Sequence, residues 1–396
     1  MKVINKENYK IPVFNWCSKI EENAMAQVDN LAQLPFAFKH IAIMPDCHSG
    51  YGMPIGGVLA TKNVVIPNAV GVDIGCGMCA VKTSLTEIDK ENLKKIMGEI
   101  RKVIPLGFNH HKEAQDYNLM PERKGYIKDG NHDIVIREWN NALMSLGTLG
   151  GGNHFIEIQK GSDGHIWIMI HSGSRNFGLK IADYYNKLAK ELNKKWHSEV
   201  PPSYDLAFLQ LDSEEGQAYL REMNYAVEFA LANRKLMMNR IKYIFKHKNG
   251  GIGLLTHFEP MINIAHNYAV MENHFGENVM VHRKGATLAR EDTIGIIPGS
   301  QGSKSYIVQG LGNPESFMSC SHGAGRKMGR GQAIKNLNLE EEIKKLDDQG
   351  IIHGIRNVKD LDEASGAYKD IDEVMANQTD LVKVLVELNP LAVIKA

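Results

Sequence analysis

The sequence is poor in cysteine and has no long apolar run. Five Cys among 396 residues are too few for a disulfide framework, so each thiol is expected to be reduced core, a metal ligand or a nucleophile. No stretch approaches the ~18 apolar residues of a membrane span. The start, Met1-Lys2-Val3-Ile4, lacks the apolar run of a signal peptide. We therefore expect a cytoplasmic protein with no membrane partner.

Net charge is also lacking, because 46 Lys+Arg balance 46 Asp+Glu. This balance argues against a protein coated with basic residues for nucleic-acid binding, although it leaves room for a local basic groove. The 43% hydrophobic and 23% charged residues are typical of a globular protein and exclude disordered, collagen-like and coiled-coil classes. The abundant residues are 16 His and 37 Gly, and their positions carry most of the functional information.

Helical and strand patterns are interspersed along the chain. Helical spacing predicts helices at 91–104, 178–198, 338–348 and 370–388, and a long or broken helix over 213–248. Short β-type runs lie at 41–44, 78–83, 155–159, 165–170 and 279–283. Because these patterns show no clean βαβ rhythm, an α+β fold is favoured over a doubly wound sheet. No linker or repeat is visible, so we expect one domain over residues 1–396.

Glycine-rich stretches lie between the predicted elements, and each carries a His, Cys, Asp or Ser/Lys group suited to binding. Glycine is retained where backbone must approach a partner closely or adopt positive φ. One such loop is weak evidence, but several together predict a shared site. The stretches are 45–57, 70–78, 147–154, 171–178, 298–305 and 319–326.

Asp73 and Cys76 stand three residues apart in a glycine-flanked turn. A carboxylate and a thiolate that converge on one cation favour Mn, Fe or Zn over Mg or Ca. Two alternatives remain open: Cys76 with Cys79 as half of a zinc knuckle or a redox pair, or Cys76 as a buried structural residue. No second CxxC exists, and Cys79 lies where an alternating strand begins.

His154 and His171 flank a predicted hairpin. The strand-like runs 155–159 and 165–170 surround Gly161-Ser162-Asp163-Gly164, a strong turn signal. A hairpin centred on that turn pairs His154 with His171, with Cβ atoms about 5 Å apart. We therefore predict that both imidazoles share a metal site, the alternative being two ordinary core or surface histidines.

His322 precedes Gly323-Ala324-Gly325-Arg326. Small residues leave room for a bulky group at the imidazole, and the guanidinium of Arg326 could hold a phosphate. A neutral imidazole can attack phosphorus and pass the phosphoryl group onward; a capping or surface histidine is the equal alternative. Basic residues at 283–284 and 326–335 fit either a phosphate-rich substrate or a solvated face.

The motifs that carry these residues run in order from residue 45 to 395: PDCHSGYG, VGVDIGCGM, GTLGGGNHFIEI, HSGSR, HN, RKGA, PGSQGSKS, SCSHGAGR, AYKDI and a Lys beside the last residue. In this set the chain resembles the RtcB family of GTP- and manganese-dependent RNA ligases. VGVDIGCGM together with SCSHGAGR is highly specific. The resemblance implies joining of RNA 3′-phosphate or 2′,3′-cyclic phosphate ends to 5′-hydroxyl ends, in RNA repair or tRNA splicing. It also implies central β-structure that carries a dinuclear metal pocket surrounded by helices.

The resemblance further implies roles for individual positions. Asp73, Cys76 and His154 match ligands of one Mn²⁺, and Cys76 matches a thiolate that bridges to a second Mn²⁺ bound by His171 and His266. His322 matches the histidine that GTP guanylylates, while Arg175, with Arg326, would contact substrate phosphate. Tyr368 and Phe155 match walls of a guanine pocket. Positions that match the guanylate site are Asn153, His154, Phe155, Ile156, Glu157, His266, Asn267, Pro298, Gly299, Ser300, Gln301, Ser305, His322, Gly323, Ala324, Gly325 and Lys395.

Three segments depart from the family pattern. Gln301 stands where the better-known members have Met, Gly329 where Ser is usual, and Ser49 and Tyr51 where some members carry Leu and Lys. None is an implied metal ligand or His322, so guanylylation is the safer expectation and full ligation the bolder one. The alternatives are a dinuclear-metal RNA end-processing phosphoesterase, a 3′-phosphate guanylyl-capping enzyme, and a non-catalytic RNA-binding factor. We expect a monomer, with an archease-type activator as a further partner.

Overall fold

The structure, a computed structural model, describes residues 1–122, 133–247 and 256–395. Within these segments no helix has the length and apolar character needed to cross a membrane. The helices are α1 (Glu22–Leu31), α2 (Pro67–Val70), α3 (Lys90–Val103), α4 (Ile134–Arg137), α5 (Trp139–Ser145), α6 (Phe177–Lys195), α7 (Glu214–His247), α8 (Arg330–Asn336), α9 (Leu339–Asp348) and α10 (Ile371–Ala376). Short 3₁₀ turns occupy Tyr117–Leu119, Pro202–Tyr204, Pro314–Ser316, Val358–Glu363 and Ser365–Ala367.

Strands make up the centre of the protein. They are β1 (Lys2–Ile4), β2 (Val13–Asn15), β3 (Ala37–His48), β4 (Ile55–Thr61), β5 (Val64–Val65), β6 (Gly77–Lys82), β7 (Phe155–Gly161), β8 (Ile166–Ser172), β9 (Leu209–Gln210), β10 (Ile262–Ala265), β11 (Asn267–His274), β12 (Glu277–Lys284), β13 (Ala286–Leu288), β14 (Ile294–Ile297), β15 (Ser305–Gly310), β16 (Ser319–Ser321) and β17 (Val382–Ile394).

Two sheets dominate. A seven-stranded sheet in the order β10-β6-β8-β7-β17-β15-β14 is antiparallel throughout, and its edge strand β14 lies against β10 and β6, so the sheet is nearly closed. A six-stranded sheet has the order β1-β2-β3-β4-β12-β11, in which only β2 and β3 run parallel. Antiparallel pairing of this extent agrees with the predicted α+β class and excludes a doubly wound sheet.

The strands of the seven-stranded sheet alternate between two apolar environments. On β8, Ile168 and Ile170 pack outward with α3 and α7, whereas Met169 faces the interior of the sheet with Phe155 of β7. The two-residue period of a strand causes this alternation. Each buried Ile contributes roughly 1.5 to 3 kcal/mol to stability. His171 lies two residues after Met169 on β8, so its side chain also faces the interior of the sheet.

Most predicted elements are confirmed. The runs at 91–104, 178–198 and 338–348 form α3, α6 and α9, and α7 is unbroken over Glu214–His247 (Lys248 lies outside the described residues). All the predicted strands are present. The helix predicted over 370–388 is wrong after α10, since β17 begins at Val382. Valines at 382, 384 and 386 alternate with other residues, and β-branched residues at a period of two favour a strand.

The predicted hairpin forms, but its register differs by one residue. Phe155, not His154, pairs with His171, because the loop has three residues rather than four. The Gly161 N–H donates to the His165 carbonyl at 2.8 Å, and Gly164 adopts φ +82°. A three-residue loop that ends in a left-handed glycine is a common hairpin form. His154 therefore lies just before β7, still beside His171, with ring centroids 5.3 Å apart.

Candidate metal and nucleotide site

A cavity of about 710 Å³ opens between the two sheets. At its floor lie the glycine-flanked turns that carry the predicted metal ligands, and His322 stands beside them. The predicted site residues that line it are Asp73, Cys76, Asn153, Phe155, Glu157, His171, His266, Asn267, Pro298, Gly299, Ser300, Gln301, His322, Gly323, Ala324, Gly325, Arg326, Tyr368 and Lys395. Stretches far apart in sequence thus share one cavity.

Cys76 joins two groups of potential metal ligands. Its Sγ lies 3.3 Å from Nε2 of His171 and 3.4 Å from Nε2 of His154. Ligand atoms of Cys76, His171 and His266 lie within 4.8 Å of one another, as do those of Asp73, Cys76 and His154. The thiol is therefore the member common to both groups.

Strand pairing brings these residues together. Pairing of β6 with β8 places Met78 opposite His171, and pairing of β6 with β10 places Gly77 opposite Ala265. The N–H of His266 then donates to the carbonyl of Cys76 at 2.8 Å. Three ligand-bearing segments are thus fixed by one antiparallel ladder.

Arg234 of α7 forms hydrogen bonds with the same three segments. The side chain is fully buried, and it donates to the carbonyls of Gly75 (3.0 Å), Ser172 (2.8 Å) and Ile264 (3.2 Å). Those carbonyls precede or follow Cys76, His171 and His266 by one or two residues. A planar guanidinium can donate to several carbonyls at once, so this arginine fixes the relative positions of the ligand turns.

The electrostatics of this group suit a cation. Burial lowers the pKa of His171 and His266 well below the ordinary histidine value, so both imidazoles are neutral. Burial and the Asp73 charge raise the pKa of Cys76, so a cation is required to hold the thiolate. Nδ1 of His171 lies 3.1 Å from the Asn153 carbonyl, which leaves Nε2 unprotonated toward Cys76. Among the described residues, Nδ1 of His154 and of His266 is buried without a hydrogen-bond partner.

Asp73 carries the negative charge of the group. Burial raises its pKa, but hydrogen bonding and charge interactions with His154, together with further contributions from Cys76 and Arg175, outweigh this and lower it to about 2. One carboxylate with nitrogen and sulfur ligands fits Mn, Fe or Zn. The zinc-knuckle alternative loses support, because Cys79 packs in the apolar core between β6 and the helices.

His322 follows β16 and is held by a residue that the sequence analysis did not assign. Its Nδ1 donates to Oδ2 of the fully buried Asp46 at 2.6 Å, and the backbone N–H groups of His322 and Gly323 donate to the same oxygen at 3.1 and 3.2 Å. This contact leaves Nε2 as the free nitrogen. The ring lies 4.7 Å from that of His266. Gly325 has φ +74°, and a Cβ there would lie 2.2 Å from the Asp46 carbonyl oxygen.

A different cluster forms the far wall of the cavity. Glu363 accepts from Arg326 (3.1 Å), Arg330 (2.8 Å) and Lys395 (3.4 Å), and the Tyr368 hydroxyl donates to it. Burial raises the pKa of Glu363, but the three cations and the tyrosine lower it to about 2. Arg326, predicted to hold substrate phosphate, is thus paired with a carboxylate here. We call these five residues the Glu363 cluster.

Two of the departures from the family pattern have a place in this wall. The Gln301 side chain is buried and donates to the Glu363 carbonyl at 2.9 Å, so it supports the Glu363 cluster. Gly329 lines the cavity immediately before α8, where a Cβ would meet no atom within 4 Å. The Gln301 departure therefore has a structural reason, whereas nothing in the structure explains the loss of Ser at 329.

Four predicted residues do not line the cavity. His154 lies behind it, against Cys76 and Asp73. Ile156 faces outward into the core beneath α3 and α7 because it alternates with Phe155 and Glu157. Ser305 is buried, and its hydroxyl accepts from the Gly299 N–H at 3.1 Å and so supports the loop. Arg175 donates to Thr148 Oγ1 and the Gly107 carbonyl, both at 2.9 Å.

Two further groups in the cavity have shifted pKa values. Burial raises the pKa of Glu157 to about 8, against the opposing effect of Lys395. Burial lowers the pKa of Lys284 to about 7; its Nζ donates to the carbonyls of Tyr51 and Asn68 at 2.5 and 2.9 Å. Its neighbour Arg283 is buried in an ion pair with Glu272, 2.9 Å away, so it is neither a substrate contact nor part of a solvated face.

Three residues of the site were not predicted from the sequence: Asp46, Arg234 and Glu363. Asp46 lies within PDCHSGYG, so the motif gave a signal, but no spacing relates it to His322. Arg234 lies inside a helix that was interpreted as scaffold, and Glu363 has no motif around it. Asn267, predicted to contact guanylate, uses its side chain to bridge the Asp73 carbonyl (3.0 Å) and the Gly285 N–H (2.7 Å).

Comparison with known proteins identifies the family. The family model described as "tRNA-splicing ligase RtcB" matches residues 27–396. The chain is 40% identical over 413 residues to the RNA-splicing ligase RtcB of Escherichia coli K12, covering 100% of this chain and 99% of that protein. It is 34% identical to the tRNA-splicing ligase RtcB of Nanoarchaeum equitans, covering 95% and 92% of the two chains. For RNA-splicing ligase RtcB homolog 1 of Entamoeba histolytica the identity is 32%, with 94% and 83% covered. The chain belongs to the RtcB family of RNA-splicing ligases.

Proposed function

We propose that this protein ligates RNA, joining a 3′-phosphate or 2′,3′-cyclic phosphate end to a 5′-hydroxyl end through a guanylylated His322. One observation carries the proposal. An imidazole whose Nδ1 is held by Asp46 at 2.6 Å stands in the same cavity as the Cys76 group, with its ring 4.7 Å from that of His266. A positioned nucleophile beside a cation site is the arrangement that phosphoryl transfer requires.

Two Mn²⁺ ions are the proposed cofactors. Asp73, Cys76 and His154 would hold one, and Cys76, His171 and His266 the other. The neutral imidazoles of His171 and His266 and the raised pKa of the Cys76 thiol support this assignment. The short distances from Cys76 Sγ to Nε2 of His154 and of His171 support it as well. When bound, the cations would neutralise the negative charge of the triphosphate and of the transferring phosphorus.

His322 would act as the nucleophile. Asp46 holds the proton on Nδ1, so the Nε2 lone pair attacks the α-phosphorus of GTP. An N–P bond forms, the bond to the bridging oxygen breaks, and pyrophosphate leaves. The nucleotidyl group then passes to an RNA 3′-phosphate oxygen, which frees the imidazole and creates a pyrophosphate linkage in the RNA. Attack by the 5′-hydroxyl then forms the phosphodiester and releases GMP. A cyclic end would have to be opened to a 3′-phosphate before these steps begin.

The guanine would bind on the side of the Glu363 cluster. Glu157 and Lys395 offer an acceptor and a donor, and Tyr368 offers a ring. The loop from Pro298 to Gln301 and the run from His322 to Gly325 line the cavity and would contact the nucleotide. Arg326, which lines the cavity, is the proposed phosphate contact there. Arg175 does not line the cavity, so it would contact substrate phosphate only after leaving Thr148 and Gly107. Ile156 and Ser305 would act only by supporting neighbours, because neither lines the cavity.

The domain organisation, the oligomeric state and the partners are also proposed. His171 lies in β8 of the seven-stranded sheet, and His322 is held by Asp46 of β3 in the six-stranded sheet. Both sheets thus contribute to one site, which supports one catalytic domain over 1–396. We propose that the protein acts as a monomer on broken RNA, in repair or tRNA splicing, with an archease-type activator as a further partner.

The first test is self-guanylylation with α-labelled GTP and Mn²⁺ in the absence of RNA. The wild type should acquire an acid-labile covalent label, since a phosphoramidate hydrolyses in acid, and His322→Ala should acquire none. His197→Ala, which changes an exposed histidine, serves as the matched control and should label fully. Full labelling of His322→Ala would refute the nucleophile assignment.

A second test separates ligation from the alternative activities. One broken RNA hairpin is supplied with cyclic-phosphate, 3′-phosphate or 3′-hydroxyl ends and an unmodified 5′-hydroxyl. The proposal expects joining of the first two and none of the third. Accumulation of a guanylylated 3′ end without joining would indicate a capping enzyme, and opening of the cyclic end without GTP consumption would indicate a phosphoesterase.

A further inference from the structure

The entrance of the cavity presents an aromatic side chain that no step above uses. Tyr51 lines the cavity, yet it is 69% exposed. In the described part of the chain its hydroxyl makes no hydrogen bond, and no aromatic ring or cation packs on its ring. Val72, 38% exposed, lines the same entrance. An exposed apolar surface beside a ligand cavity commonly marks an interaction site.

The backbone that carries Tyr51 is held firmly. Gly50 exchanges two hydrogen bonds with the Gln27 side chain of α1, at 3.0 and 2.5 Å. The Tyr51 carbonyl accepts from Lys284 Nζ at 2.5 Å and from the Met53 N–H at 2.7 Å. Gly52 has φ +65° and packs so closely on the Asp205 carbonyl that a Cβ would lie 2.4 Å from its oxygen. The ring is therefore presented from a fixed position rather than from a loose loop.

The surroundings indicate what this ring binds. Lys284, whose Nζ donates to the Tyr51 carbonyl, is followed in the chain by Gly285. A Cβ added at Gly285 would lie 3.0 Å from Cε1 of His322. Tyr51 thus lines the cavity on the Lys284 side of the nucleophile. The Glu363 cluster, proposed to receive guanine, shares no hydrogen bond with this loop among the described residues. A strand whose phosphate reaches His322 would bring a base to the entrance, and every base has a π-face that stacks on an aromatic ring.

We propose that Tyr51 stacks against a nucleobase of the RNA substrate at the entrance of the cavity. This inference rests on the proposed RNA ligation and adds a positioning residue for the RNA. The base belongs either to the 3′-phosphate strand or to the 5′-hydroxyl strand, and the two share the same stacking chemistry. Because the ring and not the hydroxyl makes the contact, phenylalanine should replace tyrosine and an aliphatic residue should not.

The experiment compares Tyr51→Ala, Tyr51→Leu and Tyr51→Phe with the wild type. Tyr117→Ala is the matched control, because Tyr117 is also 69% exposed but lies outside the cavity. We expect Tyr51→Ala and Tyr51→Leu to raise the KM for RNA by about 5-fold to 100-fold, with kcat within about twofold, since stacking contributes that much per base. Tyr51→Phe and Tyr117→Ala should stay within about twofold of the wild type.

Abasic nucleotides identify the base and the strand. One base at a time is removed near the junction, first on the 3′-phosphate strand and then on the 5′-hydroxyl strand. At the stacked position Tyr51→Ala should add no further loss, whereas elsewhere the two losses should add. Addition at every position on both strands would overturn the inference.

Self-guanylylation without RNA separates this inference from the proposed function. Tyr51→Ala should label with GTP at the wild-type KM, because the ring lies away from the guanine wall. A raised KM for GTP, or an unchanged KM for RNA with normal labelling, would overturn the stacking role alone. Absence of labelling in the wild type would instead refute the proposed function. Equilibrium binding of fluorescent RNA then still tests Tyr51: an unchanged Kd for Tyr51→Ala overturns its role, and a weakened one restored by Tyr51→Phe supports it.

Discussion

The two walls of the cavity differ in how their buried charges are balanced. Around Cys76, the neutral imidazoles of His171 and His266, the His154 ring, a thiol with a raised pKa and one carboxylate face each other. Around Glu363, three cations and a tyrosine already satisfy one carboxylate. The first group is complete only with a cation, whereas the second is neutralised by the protein itself.

This difference assigns the walls different tasks. A buried polar group without a partner costs free energy, so the Cys76 group is expected to gain stability from each bound ion. The Glu363 cluster gains nothing from a cation, but its arginines and lysine can exchange partners with an incoming nucleotide. Changes in one wall should therefore affect metal binding, and changes in the other should affect GTP binding.

The largest expected effect comes from Cys76→Ser, which retains a hydroxyl but loses a soft ligand that ionises readily. Because Cys76 belongs to both ligand groups, bound Mn²⁺ should fall from two equivalents to one or none, and self-guanylylation should fall at least about 100-fold. Metal analysis of the purified variant measures this. Cys79→Ser, a buried cysteine outside both groups, is the control, and two equivalents in Cys76→Ser would contradict the bridging role.

A smaller effect is expected from Arg234→Met. The variant leaves the carbonyls of Gly75, Ser172 and Ile264 without their shared donor, so the ligand turns should loosen. Loss of such a supporting residue typically lowers metal affinity about 10-fold to 100-fold. Calorimetric titration with Mn²⁺ gives the affinity. Arg240→Met, on the same helix but without contact to those turns, should bind Mn²⁺ as the wild type does.

Glu363→Gln tests the other wall. It removes the charge that three cations share and should raise the KM for GTP about tenfold while both Mn²⁺ ions remain bound. Breaking a buried ion pair should also lower the free energy of unfolding by roughly 2 to 3 kcal/mol. Initial rates of guanylylation and a denaturant titration provide the two values. Loss of Mn²⁺ from this variant would show that the walls are not independent.

Lys284 should show its effect only as a change of stability with pH. Its folded pKa of about 7 lies below the ordinary value of 10.5, so the unfolded state binds more protons between those values and stability rises with pH. From pH 7 to pH 10 the unfolding free energy of the wild type should therefore rise by roughly 3 to 4 kcal/mol relative to that of Lys284→Met. Chemical denaturation at both pH values measures it. A constant difference would mean that Lys284 titrates normally.

Much of the fold was predictable because it depends on local periodicity. The helices around Leu93 and Met223 and the strands around Ile158 and Ile168 follow from apolar spacing. Two failures have local causes: the strand after Val382 alternates with a period of two, and the loop before His165 is one residue shorter than the turn signal implied. The order of strands in each sheet depends on contacts between distant segments, which no local pattern reports.

The residues of the candidate site also differ in whether the local sequence predicts them. Asp73, Cys76 and His154 lie in glycine-flanked turns and His171 lies near the end of a predicted strand, and ligand chemistry was enough to single them out. His266 and the guanylate positions came from family resemblance. Asp46, Arg234 and Glu363 act through partners that are 276, 159 and 32 residues away. Their importance follows from geometry alone, and so only the structure reveals them.

The central claim is that the Cys76 group holds paired cations beside His322. The most direct test is an anomalous difference map from crystals of the protein grown with Mn²⁺. The account predicts two manganese peaks that share the sulfur of Cys76, one next to His154 and the other next to His171 and His266. Manganese peaks only elsewhere in the protein, with this group empty at saturating Mn²⁺, would contradict it.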